Sequence, residues 1–429
     1  MTPPEYLRKK SVWAWAMYDF ANSAFATTVL AVVFNVYFVQ RVVPAEGVRL
    51  LGATVPGTSL WGYTVSLSML IIFVCSPVLG ALADHAGRKK SFLALFWLAG
   101  CAASAGLFFV RPGDVRPAIL LFLVANIGFA GGNVFYNAFL SEIAEPGRMG
   151  RVSGFGWAVG YLGGGLCLAL NLWMIQSPQT FGLSSEDYLP VRATLLSVGV
   201  WWFVFGLPLM FVLRERPGRA TEHPAGLLRP AVLRLRETFQ NLRRYKNLLT
   251  FLAAYLLYND GIETIILMAS VFGAQALGMA QNELILCFLM IQAVAFAGAL
   301  FFGWLADRLS HKKSILCTLA VYGGVLLWAA AMRARWEFWI LGAVVGVVLG
   351  GSQAASRSWM ALLTPPEKSA EFFAFYGVVG KLTAVLGPLV FGVVSQVWGL
   401  RPGVLSLLVF FLAGGALLTR VREKSESPA

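Results

Sequence analysis

Apolar runs of about twenty residues or more follow one another from residue 12 to residue 420, separated mostly by short polar turns. Within each run the apolar residues are continuous rather than alternating, which suits helices in lipid and not the strands of a membrane barrel. Twelve spanning helices are therefore predicted, at 12–39, 60–84, 91–110, 117–141, 153–176, 191–213, 248–273, 283–308, 314–332, 336–360, 371–396 and 401–420.

A short basic turn interrupts this pattern twice. Gly80-Ala81-Leu82-Ala83-Asp84 leads to Arg88-Lys89-Lys90, and 223 residues later Gly303-Trp304-Leu305-Ala306-Asp307 leads to His311-Lys312-Lys313. Each copy lies between a second and a third apolar run, so the chain reads as a duplication. At an offset of 220, Phe135–Leu140 overlays Ala355–Met360, Phe155 overlays Phe375 and Gly160 overlays Gly380. Three parts result: a six-helix half over 1–213, a linker over 214–247 and a second six-helix half over 248–429. In the linker, Leu228, Val232, Leu235, Phe239 and Leu242 recur at spacings of three and four among arginines. That spacing predicts a basic amphipathic helix on the membrane surface.

The chain is 58% hydrophobic and 13% charged, which excludes a soluble globule. Its net charge of +13 is a matter of topology. Of 34 Lys and Arg, 24 fall in the N-terminus, the even-numbered loops and the C-terminus, and eight on the other side: Arg41, Arg49, Arg111, Arg116, Arg192, Arg333, Arg335 and Arg401. The positive-inside rule then puts both termini in the cytoplasm, and no nucleic-acid partner is implied. Arg8-Lys9-Lys10 precedes a run too long for a signal peptide and interrupted by Asp19 and Asn22, so it reads as a spanning helix without cleavage. The five cysteines are scattered singly, which supports neither a disulfide framework nor a metal site. Gly163-Gly164-Gly165 has no preceding strand and no following Lys-Ser/Thr, so it is not a phosphate loop; no cofactor is expected. Gly156, Gly160 and Gly164, and Gly342, Gly346 and Gly350, form faces suited to close helix contact. No catalytic constellation marks an enzyme.

The paired turn resembles the conserved loop called motif A of the major facilitator superfamily, whose fold is two parallel six-helix bundles with a midplane substrate site. The resemblance implies that Gly80, Asp84, Arg88 and Asp307 gate the switch between states. Asp84 suits the positive end of a neighbouring helix, and the basic residues suit anionic lipid. Ser310 and His311 replace Gly87 and Arg88 in the second copy, which predicts a weaker latch there. Tyr18-Asp19-Phe20-Ala21-Asn22-Ser23-Ala24-Phe25 and Gly377–Pro388 resemble a narrower branch, the vacuolar-effluxer-like proteins related to fungal autophagy-associated amino-acid effluxers. That branch implies export of small neutral or aromatic amino acids. Pro388 has no counterpart near Gly160, which counts against a drug/proton antiporter.

Placing a charge at the bilayer centre costs roughly 2.5–3.5 kcal/mol even on insertion scales, so intramembrane ionisable groups are candidates for function. They are Asp19, Asp260, Glu263, Arg357 and Lys381. Aligning Asp19 with Asp260 also aligns Asn22 with Glu263, a polar pair on one face of the first helix of each half. Structural ion pairs, such as Asp19 with Lys381, are one reading. The other is a lined cavity in which Asp260 or, preferably, Glu263 carries a proton and Arg357 or Lys381 receives an anionic group. Asn126, Asn133 and Asn137 make a stripe whose last two members overlay Gln353 and Arg357. These amides line the cavity or act as helix–helix glue.

The expected function is secondary active transport of a small organic solute, an amino acid or related zwitterion, by a monomer in a bacterial inner membrane, with lipids and protons as further partners. Another solute class (a carboxylate, sugar or lipid-like molecule) and a non-transporting membrane sensor are the alternatives.

Overall fold

The computed structural model describes residues 9–50, 53–145, 147–215, 242–383 and 386–423. Among them twelve helical spans are long and apolar enough to cross a membrane. They are α1 Lys10–Val42, α2 Gly57–Ala86, α3 Lys89–Phe109, α4 Val115–Ile143, α5 Met149–Gln176, α6 Glu186–Val212, α7 Lys246–Ala269, α8 Glu283–Arg308, α9 His311–Ala331, α10 Arg335–Leu363, α11 Pro366–Trp398 and α12 Leu400–Arg420. Every apolar run in the sequence became one span, with ends within a few residues, because in lipid the backbone must satisfy its own hydrogen bonds.

Three local departures are not marked by hydropathy. The backbone of α1 takes π geometry over Phe25–Val32 and again over Phe38–Val42. The α1–α2 connection carries a small antiparallel hairpin, β1 Val48–Leu50 with β2 Ala53–Val55, which the all-helical reading did not include. And α11 is two helices, α11a Ser369–Leu382 and α11b Leu386–Trp398. The amphipathic helix expected in the linker lies outside the described residues, apart from a 3-10 turn, Leu242–Tyr245, that leads into α7.

Two compact units are present. The first comprises Met1–Asn137 and Val159–Leu228, the second Ala138–Ala158 and Arg229–Ala429, so the end of α4 and the start of α5 group with the second. In the first unit, α6 packs on α1 and α3 through indoles. Trp201 stacks on Phe20 at 5.1 Å and its Nε1 donates to the Phe20 carbonyl at 3.2 Å, while Trp97 Nε1 donates to the Trp202 carbonyl at 3.1 Å. The Trp97 and Trp201 indole N–H groups thus each find a carbonyl, which offsets the cost of taking them from water. In the second unit, α8 and α10 approach closely along the predicted glycine face. A Cβ at Gly346 would stand 3.0 Å from the Ile291 carbonyl, and one at Gly350 would collide with that of Ala295.

Candidate functional site

The first unit gathers its polar groups where α1 meets α4. Asp19 and Asn22 lie one turn apart on α1, and both are buried. Asn22 Nδ2 donates to Asn133 Oδ1 at 2.7 Å. The same contact is framed by aromatic rings. Trp15 Nε1 donates to the Tyr136 carbonyl at 3.0 Å, and the Tyr136 ring stacks with Trp15 at 4.7 Å and with Tyr18 at 5.0 Å. Asn133 and Asn137 are half-buried. Asn126 behaves differently: fully buried, it donates to Ser68 Oγ on α2 at 2.7 Å. The amide stripe therefore divides, its first member joining two helices and its second turned toward α1.

The second unit repeats the arrangement on α7, α10 and α11 with more charge. Pro388 has no N–H and disfavours a continuous helix through the preceding turn; α11a ends at Leu382, Thr383 is extended, and α11b covers Leu386–Trp398. A helix start leaves its first backbone N–H groups without intrahelical acceptors. Asp260 supplies them: Oδ2 accepts the Leu386 N–H at 3.2 Å and Oδ1 the Gly387 N–H at 3.0 Å. Gly387 is required for this approach, because a Cβ there would collide with Thr264 Oγ1. On the other side of the joint, Asn259 Nδ2 donates to Thr383 Oγ1 at 2.9 Å, and that hydroxyl donates to the Gly380 carbonyl at 2.7 Å. Two adjacent residues of α7 thus hold both ends of the break.

Glu263, one turn beyond Asp260, is half-buried and interacts electrostatically with Lys381 in the last turn of α11a and with Asp260. Lys381 is solvent-accessible, unlike Asp260 and Arg357. Arg357 on α10 is 2% exposed. Its Nε donates to Ser153 Oγ at 3.1 Å and its Nη2 to the Ser153 carbonyl at 2.7 Å, and its guanidinium lies 4.9 Å from the centre of the Trp157 ring. Gln353, one turn before it, is half-buried. Beside them Tyr255 stacks on Tyr376 at 4.4 Å, and the Tyr258 hydroxyl meets Ser356 Oγ at 2.7 Å. The offset of 220 pairs Tyr136 with Ser356, so α1–α4 and α7–α10 touch at equivalent positions.

The two basic turns are built differently. In the first, Gly80 is buried and Gly87 ends α2 in the left-handed region at φ 60°, where glycine is favoured. Asp84 lies 3.4 Å from Lys89, Arg88 is exposed, and Lys90 Nζ donates to the Leu213 carbonyl beyond α6 at 2.7 Å. In the second, Ser310 is extended and caps α9, accepting the Lys313 N–H at 3.0 Å. The third helix of that repeat starts one residue earlier as a result. The capping lysine is accordingly Lys312, whose Nζ donates to the Thr419 and Val421 carbonyls at 2.6 and 3.0 Å. Asp307 accepts the Gly150 N–H at 2.6 Å and the Arg151 N–H at 2.8 Å, with Arg151 Nε and His311 Nε2 at 3.8 and 3.9 Å. A carboxylate on the first turn of α5 is held by two charge-assisted bonds and by the helix dipole.

Sequence reasoning missed Asn259, Thr383, Ser153, Ser68 and the two lysine caps. Pro388 and the serine in the cap position were visible signals for the joint and for the earlier start of α9. Nothing in the pattern marks Ser153 as the partner of Arg357.

Comparison with known proteins places this geometry. The family model described as "Vacuole effluxer Atg22 like" matches residues 7–149 and 141–427. The chain is 32% identical to the uncharacterized MFS-type transporter YxiO of Bacillus subtilis, over 96% of its own length and 95% of that protein. It is 27% identical to Autophagy-related protein 22 of Coccidioides immitis, over 89% of its length and 76% of that chain. Among solved structures, the proton:xylose symporter XylE superposes with a TM-score of 0.72 at 13% identity, covering 96% of this chain and 95% of its own. FucP in the outward conformation gives 0.70 at 10% identity, covering 97% and 100%. At such identities the likeness is one of fold, and the fold is that of the major facilitator superfamily. The chain is a multi-pass membrane transporter of that superfamily and belongs to the vacuole effluxer Atg22-like family.

Proposed function

We propose that the protein is a secondary active transporter that exports an amino acid or related zwitterion by alternating access, coupled to protons, across a bacterial cell membrane with both termini in the cytoplasm. The family's name as an effluxer and the Bacillus relative support direction and membrane. The bias of 24 of 34 basic residues supports the topology.

What supports the substrate class is that Glu263 and Lys381, opposite charges on α7 and α11a, lie near enough to influence each other electrostatically, with the lysine accessible. A zwitterion satisfies such a pair by insertion, its ammonium group on Glu263 and its carboxylate on Lys381. Between substrates Glu263 carries the proton. Asp260 and Arg357 are spent on backbone and serine partners, so they position rather than bind: Asp260 fixes the joint beside Lys381, and Arg357 fixes α10 to the start of α5. Asp19, Asn22, Asn133 and Asn137 are the polar surface of the first unit, and Gln353 extends that of the second. Asp84 and Asp307, with Gly80 and Arg88, serve the gate; release of the two α5 N–H groups from Asp307 is the gating step on that side.

The test is a thermal-shift screen of the purified protein with neutral amino acids, sugars and dicarboxylates across pH. A ligand at a hundred times its Kd stabilises by about 2.7 kcal/mol. Neutral amino acids are expected to raise Tm in the native protein and not in Lys381→Met. A shift produced only by sugars or dicarboxylates rejects the substrate class.

A further inference from the structure

The second unit contains a cavity of about 170 Å³ that runs toward the end carrying the α7–α8 and α9–α10 turns, and neither Glu263 nor Lys381 lines it. Phe272, Leu284, Ala329, Met332 and Phe338 are among its walls, and Gln292 is the one side chain among the lining residues with an amide or charged group. An apolar lining of this kind favours apolar guests. A polar substrate would find almost nothing there to replace its water.

The rim above the cavity has the opposite character. Arg333 directly follows the wall residue Met332, is exposed, and has no ion-pair partner among the described residues. Arg335 stands three residues before the wall residue Phe338. Its Nε and Nη2 donate to the Leu277 and Gly278 carbonyls at 3.2 and 2.7 Å, and its Nη1 lies 3.5 Å from Glu283. Arg401 Nη1 and Nη2 donate to the Ala330 and Met332 carbonyls at 3.1 and 2.8 Å. Two carboxylates share the rim, and both already accept donors. Glu283 accepts the Ala280 N–H at 2.9 Å. Glu337 accepts the Arg333 and Ala334 N–H groups at 3.0 Å each and Trp328 Nε1 at 2.7 Å. Three guanidinium groups against two occupied carboxylates leave the rim cationic. Trp328 and Trp336 are exposed beside it, as indoles are at the level of lipid headgroups.

These arginines are three of the eight basic residues on the side where the positive-inside rule expects few. We infer that this end of the second unit binds one anionic phospholipid, with an acyl chain in the cavity and the phosphate on the Arg333, Arg335 and Arg401 rim. The bilayer supplies the chain at that depth, and the rim supplies the charge that selects the headgroup. The lipid is a fixed component of the bundle, separate from the Glu263–Lys381 pair.

The experiment is native mass spectrometry, with Tm measured in parallel, on delipidated protein given phosphatidylglycerol, phosphatidylcholine, a short-chain phosphatidylglycerol or glycerol phosphate. One phosphatidylglycerol per chain is expected to be retained and to raise Tm above the value in phosphatidylcholine. Arg333→Gln, at an exposed turn, should weaken retention about fivefold, the worth of one arginine near an anionic surface. Ala329→Phe should remove retention by filling the cavity. Equal stabilisation by glycerol phosphate, which has no acyl chain, would show that no chain enters and would overturn the inference, as would unchanged retention in Arg333→Gln. If Ala329→Phe does not fold, the chain-length series and Arg333→Gln still decide. Because none of these readouts uses an amino acid, their failure leaves the transport reading standing, and the reverse also holds.

Discussion

α5 and α11 are mates at an offset of 220, yet α5 runs unbroken from Met149 to Gln176 while α11 is two helices joined at Thr383. The offset pairs Gly163 with Thr383 and Leu168 with Pro388. At Gly163 the backbone of α5 presses on α1 so closely that a Cβ would strike the Phe20 carbonyl. At Thr383 the chain is instead bridged by Asn259, and the N–H groups at the start of α11b are taken up by Asp260. Duplication supplied one helix slot twice. One copy became close packing, and the other became a polar joint beside Glu263 and Lys381. Discontinuous helices at membrane depth persist only where their freed backbone groups find protein partners.

The sharpest way to break this contrast is Asp260→Ala. Two N–H groups at the start of α11b would lose their acceptor, at roughly 1–3 kcal/mol each, so a loss of about 2–6 kcal/mol is expected in thermal melts. Asp260→Asn keeps an acceptor oxygen and should recover part of it. A melt unchanged in Asp260→Ala would mean that the joint does not depend on this carboxylate. Next in size is the reciprocal exchange Gly163→Thr, which puts the residue of α11 into α5. Overpacking against Phe20 is expected to cost about 1–3 kcal/mol, and tolerance of threonine would show that α5 has the freedom assigned here to α11 alone. The smallest effect is expected from Thr383→Val, which keeps shape but removes the Asn259 bond, at about 0.5–1.5 kcal/mol. A larger loss would mean that the bridge carries the joint more than the Asp260 cap does.

Much of the molecule was legible in the sequence because bilayer thickness fixes run length and duplication fixes spacing. The twelve spans and the offset that pairs Tyr136 with Ser356 both follow from this; the glycine spacing marked Gly346 and Gly350 as a close-contact face, though not α8 as its partner. The polar residues were found by type, but their partners were not. Hydropathy ranks Asp260 and Glu263 alike, whereas their difference arises from which one meets the start of α11b. Asn126 fits the stripe of Asn133 and Asn137, and only the position of Ser68 reveals its use between helices. Pro388 has no counterpart near Gly160, and its physical consequence, a helix start in need of an acceptor, is what makes sense of Asp260. The first connection shows the limit of hydropathy in another way, since it says nothing of the hairpin Val48–Leu50 with Ala53–Val55.

The most direct test of a charge pair that takes a zwitterion and a proton is transport by Glu263→Gln in proteoliposomes, with a neutral amino acid identified by the thermal-shift screen. Export driven by a pH gradient should be abolished, while exchange of labelled for unlabelled amino acid, which needs no net proton movement, continues. Gradient-driven transport at the native rate in Glu263→Gln would contradict the assignment of the proton to this carboxylate.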